Sequence, residues 1–138
     1  MSYLLDTCLV SEIWKPSPNH GVLAWLNDSF EDELHLSVLS LGEIRKGISM
    51  LTAGRKRERL LRDYALLRGR FSQRVLPVSD ATAERWGDLA GEASRLGRPL
   101  HVVDGLLAAT SLVHGLTLVT RNVGDFGATP VPIINPWT

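Results

Sequence analysis

The sequence predicts an α/β fold in which a largely parallel five-stranded sheet is covered by helices on both faces. Three observations carry that expectation. Short β-rich apolar runs alternate with longer stretches whose apolar residues recur at helical spacing. Strands separated by helices imply crossover connections, which parallel neighbours require. The 138 residues, 44% hydrophobic, contain no internal repeat, linker or low-complexity tract. They suffice for one domain, residues 1–138, with its own core.

Taken in order, Ser2-Tyr-Leu-Leu5 reads as a first strand ending at Asp6. Helices are expected over 8–14 and 20–29, parted by Lys15-Pro-Ser-Pro-Asn19. Leu34-His-Leu-Ser37 is a second strand, and Leu39, Ile44, Ile48 and Leu51 give the helix over 38–51 its apolar face. Ala53-Gly54 ends it, and an Arg-rich helix follows to about Phe71. Arg74-Val-Leu-Pro-Val78 is a third strand, which Pro77 places at a sheet edge. Ser79 or Asp80 caps a helix closed by Gly97, and another runs from Val102 to His114, stopped by Gly115. Leu116-Thr-Leu-Val-Thr120 and Val131-Pro-Ile-Ile134 complete the sheet.

The N-terminus has no basic stretch ahead of a long apolar run, so no signal peptide is expected. The uncharged stretch Gly105–Thr120 falls short of the roughly 20 residues of a membrane span. A lone cysteine, Cys8, precludes an intramolecular disulfide and suits a reducing cytoplasm. The net charge is zero but unevenly spread. From Arg45 to Arg74 ten Lys and Arg residues face only Glu58 and Asp63. Such a run is either a solvated helix pair or a surface for phosphates or an acidic partner.

Ligands of open parallel sheets bind beyond the carboxyl ends of the strands. Four acids fall there: Asp6 after the first strand, Glu43 early in the helix after the second, Asp104 in the first turn of the helix before the fourth, and Asp125 just after the fourth. Together they would repel one another, and a hard divalent cation relieves that conflict. Carboxylate and water ligands suit Mg²⁺ or Mn²⁺, whereas His20, His35, His101 and His114 form no pair of the kind zinc takes. Each acid also has a plain structural explanation. Asp6 can cap a helix, Ser40-Leu-Gly-Glu43 fits a capping box, Asp104 suits a helix dipole, and Asp125 can shape a turn. Their common placement distinguishes them, as does Thr120-Arg121-Asn122 beside Asp125.

The chain resembles the PIN-domain family, and within it the VapC-like and FitB-like toxins of type II toxin–antitoxin systems. The matching segments are Tyr3-Leu-Leu-Asp6-Thr7 with Ser11-Glu12, Ser37–Gly47, Gly97-Arg-Pro-Leu100, Val103-Asp104 with Ala108-Ala-Thr110, Thr120–Phe126, and Asn135-Pro-Trp137. The resemblance implies a three-layer α/β/α domain with a five-stranded parallel sheet, an Mg²⁺ or Mn²⁺ site, and cleavage of single-stranded RNA. It makes Asp6, Glu43, Asp104 and Asp125 the metal-binding and catalytic acids. Thr7, Ser40, Thr120 and Asn122 become groups that orient carboxylates, water or phosphate. Arg121 is a candidate phosphate contact. Glu12 is a weaker fifth acid, at the site's rim or exposed. Cys8 stands where the commonest motif has Asn, and a thiol cannot replace an amide's paired donor and acceptor. It reads as a small helix-start residue, not a nucleophile, since no His is placed to activate it. Trp14, Trp25 and Trp86 read as core or interface residues and Trp137 as packing on the sheet.

The resemblance also implies a cognate DNA-binding, VapB-like antitoxin, with the basic segment and interhelical grooves holding its tail. A homodimer, built around Trp14, Trp25 and the 38–51 helix, is expected too, within a higher toxin–antitoxin assembly. The alternative is a non-catalytic module that acts with the antitoxin as a DNA-bound transcriptional regulator. A DNA-cutting nuclease of the same fold would need extra elements to guide a duplex.

Overall fold

A computed structural model describes residues 1–138. Its strands are β1 (Tyr3–Leu5), β2 (Leu34–Ser37), β3 (Val75–Leu76), β4 (Thr117–Val119) and β5 (Ile133–Ile134). Its helices are α1 (Thr7–Ile13), α2 (His20–Asn27), α3 (Val38–Ser49), α4 (Arg55–Arg70), α5 (Asp80–Arg95) and α6 (Val102–His114). The strands lie in the order β3-β2-β1-β4-β5, and every neighbouring pair is parallel. The strand order reverses at β1, which is flanked by β2 and β4.

Alternation along the strands builds the layers. Leu4 and Leu118 point into a cluster with Leu89, Leu107 and Phe126. Leu5 and Val119, one residue on, point to the other face, among Leu9, Val22, Ile44, Ile48 and Leu67. Helices α1 to α4 thus cover one face, and α5 with α6 the other. This is the three-layer α/β/α arrangement expected.

The strands at the two edges are shorter than the sequence suggests, because Pro77 and Pro132 have no N–H to extend the ladder. Two 3₁₀ turns, Glu31–Glu33 and Val123–Phe126, were not expected. The first explains part of the basic run. Arg74 donates to the carbonyls of Glu31 (2.6 Å), Leu34 (2.7 Å) and Arg70 (2.8 Å), and both Arg70 and Arg74 pair with the Glu31 carboxylate. These two arginines are internal ties, so they are not part of a free cationic surface.

Trp25 packs edge-on against Tyr3, with ring centroids 5.0 Å apart, and Trp14 and Trp137 pack against the same core. Trp86 belongs to the opposite layer, where it lies against the backbone of Gly105. A methyl group at Gly105 would meet Trp86 Cδ1 at 2.8 Å. Gly105→Ala should therefore force α5 and α6 apart and cost about 1–3 kcal/mol in urea denaturation. Gly91→Ala on α5 meets open space. It should be neutral or stabilising by up to about 1 kcal/mol.

Candidate acidic active site

The chain leaves β1 at Asp6, whose N–H still donates to the Val119 carbonyl at 3.0 Å. The side chain is only 6% exposed. Oδ1 accepts from the Thr7 amide at 2.7 Å and caps α1, as the structural explanation expects. Oδ2 accepts from the buried Thr120 hydroxyl at 2.7 Å, and the Asn122 amide donates to that hydroxyl at 3.0 Å. Asp6 is therefore a helix cap and also a carboxylate fixed from the start of α1 and from the residue after β4. Asn122 acts here through its backbone, and Arg121 is exposed.

Glu43 projects from α3, where the Thr7 hydroxyl donates to its Oε1 at 2.7 Å. The capping-box explanation of Ser40 and Glu43 is overturned. The cap of α3 is Ser37, whose Oγ accepts from the Leu39 amide, because β2 runs into the helix with no loop between. Ser40 lies inside the helix, fully buried, and its hydroxyl has no partner.

Asp104 sits in the first turn of α6 and Asp125 in the 3₁₀ turn after β4. They line one cleft of about 230 Å³, together with Arg98, His101 and Gly124. Burial pushes the Asp104 carboxyl above the usual range, and Asp125, Asp6 and Glu43 push it further, with His101 opposing. The negative fields of the other three acids thus meet at Asp104. The fold brings the four sequence-predicted acids to the same sheet edge.

No three His, Cys, Asp or Glu side chains close into a ready-made metal cage. The donor set still fits a hard divalent cation. It is all carboxylate oxygen, and its mutual repulsion is the penalty that a bound cation removes. An ion that keeps several waters and takes few protein ligands suits so open a site.

Glu12 neither reaches the rim nor stands exposed. It is 6% exposed and accepts from Trp137 Nε1 (3.1 Å), Lys15 Nζ (3.0 Å) and the Asn19 amide (3.1 Å). Those bonds, Lys15's and Trp137's foremost, hold its carboxyl below the usual range. It clips the C-terminal segment to the α1–α2 turn. Cys8 Sγ lies 3.7 Å from Asp6 Oδ2 and 3.6 Å from Thr120 Oγ1. Burial and the Asp6 charge push its thiol up, so it remains a protonated neighbour of Asp6 and not a nucleophile. Sequence reading missed Arg98 and His101 as cleft residues. Their closeness to Asp104 in Gly97-Arg-Pro-Leu-His101 was the available signal.

Residues 3–129 match the PIN domain. The chain is 36% identical to Toxin FitB of Neisseria gonorrhoeae, over 97% of each protein. It is 34% identical to VapC ribonuclease Y4jK of Sinorhizobium fredii, over 97% of this chain and 96% of that protein. Among solved structures, FitAB bound to an IR36 DNA fragment superposes with a TM-score of 0.93 at 33% identity, covering 99% of this chain and 96% of that one. FitAcB from Neisseria gonorrhoeae superposes with a TM-score of 0.89 at 34% identity, covering 98% of each.

Proposed function

The chain belongs to the PIN-domain family, and from that premise we propose that it is a metal-dependent endoribonuclease cleaving single-stranded RNA. In this reading it is the toxin of a type II toxin–antitoxin pair acting in the cytoplasm. The observation that carries the catalytic part is the pairing of the acids, Asp104 with Asp125 in one cleft and Asp6 with Glu43 through their shared partner Thr7. These four acids would hold Mg²⁺ or Mn²⁺.

A bound divalent ion supplies a water acidic enough to act at neutral pH and neutralises charge gathering on a phosphodiester. The chain's contribution is positioning. Thr120 and the Thr7 amide fix Asp6, and the Thr7 hydroxyl turns Glu43 toward α1. Asn122 supports the Thr120 hydroxyl through its backbone amide, Ser40 keeps an unpartnered hydroxyl inside α3, and Arg121, exposed next to Asn122, would meet a phosphate. No His–His or His–Lys pair stands out as the acid and base for a metal-free route through the ribose 2′-hydroxyl. Purified protein should cut single-stranded RNA in Mg²⁺ or Mn²⁺ and stop on addition of EDTA. Cutting that survives chelation refutes the reading.

FitAB, whose matching chain is 33% identical to this one, has been solved bound to a DNA fragment. The expected partner here is a VapB-like, DNA-binding antitoxin. An apolar groove of about 390 Å³ between α1, α2 and α4 suits its tail, lined by Leu9, Ile13, Leu26, Leu67 and Phe71 with Arg70 at the rim. The same complex would act as a DNA-bound regulator alongside catalysis. A homodimer is the expected assembly. Trp25 is turned inward onto Tyr3, which leaves Val38 at the start of α3 as an exposed apolar side chain for that contact.

A further inference from the structure

The cleft that holds Asp104 and Asp125 is not isolated. On the other side of His101 lies a second, larger cleft of about 480 Å³, formed by α3 and the start of α6. Glu43 and Lys46 line it, and His101 is the one residue common to both. Glu43, Lys46 and Met50 recur at helical spacing on the face of α3 opposite the buried Leu41, Ile44 and Ile48. Gly42 and Gly47 flank Lys46, and a side chain at either would meet open space. This stretch of α3 thus presents bare backbone with one cation standing on it.

Two cations therefore border the acidic centre from opposite sides, Lys46 in one cleft and Arg98 in the other. Both are exposed, and neither is among the five ion pairs of the chain, although Arg98 shares its cleft with two carboxylates. Arg98 is laid across Gly127, with Nη2 2.8 Å from where a Cβ there would sit. A lone phosphate would need both cations on one side. Cations in two clefts that meet at His101, each cleft also holding acids of the site, match an extended polyanion whose successive phosphates fall in turn along both.

We propose that single-stranded RNA crosses the site over His101, with the phosphate on one side held by Lys46 and that on the other by Arg98. This rests on the ribonuclease reading and names the residues that place the strand over the acids. Neither cation touches the reacting phosphate in this arrangement, so both are binding and positioning residues.

The test measures binding of a short fluorescein-labelled single-stranded RNA by anisotropy in Ca²⁺, with wild type, Lys46→Gln, Arg98→Gln, the double variant and Lys56→Gln. Each cleft variant should weaken binding about fivefold, and the double variant by about the product. Each should also reduce the slope of log affinity against log salt by about 0.7, the value for one lost single-strand phosphate contact. Lys56→Gln, in the same basic run but on α4, should change neither quantity. Equal losses at Lys56 would make the attraction diffuse and overturn the track. Cleft variants that bind RNA like wild type while wild type still cuts RNA would overturn the track and leave the nuclease reading standing. A shift from dimer to monomer with unchanged RNA binding would assign the face to a second copy of the chain and overturn it too. Wild type that neither binds nor cuts RNA removes both proposals together.

Discussion

Asp6→Asn should abolish nearly all RNA cleavage, by about a thousandfold, while leaving a folded protein. The rate loss corresponds to about 4 kcal/mol of barrier, within what a misplaced divalent ion can forfeit. Asp6 is the most constrained of the four acids, with one oxygen committed to the Thr7 amide and the other to Thr120. An amide keeps the shape and can still cap α1 through its remaining oxygen. Its NH₂ group meets Thr120 Oγ1, which already accepts from the Asn122 amide, so the hydroxyl must rotate and give up its own donation. That rearrangement costs about 1 kcal/mol. The same change removes one of the charges that push up the Asp104 carboxyl. Circular dichroism should show unchanged helix content, and gel-resolved RNA products should nearly vanish. A folded Asp6→Asn protein that cuts at the wild-type rate would remove Asp6 from the chemistry.

The second large effect concerns stability in the absence of metal. Burial and the neighbouring acids raise the Asp104 carboxyl in the folded chain. The native state therefore holds its proton at pH values where the unfolded chain, at about 4, has released it. A raised carboxyl contributes stability that is full below the unfolded pKa and is lost as pH rises through the folded one. Metal-free protein should accordingly lose stability as pH rises above about 4. Glu12 and Glu31, both held low by their partners, act in the opposite sense and lose stability as pH falls. The Asp104 contribution is isolated by comparing wild type with Asp104→Asn, which should lack the decline toward neutral pH. At neutral pH, Mg²⁺ at about a hundred times its dissociation constant should stabilise wild type by about 2.7 kcal/mol. That raises the melting temperature by roughly 5–10 °C. Asp104→Asn should gain much less. Identical pH profiles for the two proteins in EDTA would contradict the electrostatic account.

Much of the fold could be read from local signals. Helix α6 runs from Val102 to His114 as expected, because Gly115 adopts φ +65° and ends it. Asp6, Glu43, Asp104 and Asp125 could be found because each follows a strand or opens a helix, positions that the parallel topology sends to one edge. What stayed hidden depends on partners distant in sequence. Glu12 meets Trp137 across 125 positions, and Arg74 ties back to Glu31 across 43. No local periodicity reports such pairings. Ser37 and Ser40 both look like caps, and the direct join of β2 to α3 decides for the earlier one. Arg98 and His101 carried no period at all; only the cleft they share with Asp104 and Asp125 brings them into view.

The shared electrostatic origin of these effects is tested most directly by calorimetric titration of metal-free protein with Mn²⁺. Wild type should bind the ion, and Asp6→Asn, Glu43→Gln, Asp104→Asn and Asp125→Asn should each weaken binding by tenfold or more, as about 1.4 kcal/mol per lost ligand requires. Binding that is absent in wild type, or that survives unchanged in all four variants, would contradict the assignment of these carboxylates to one metal site.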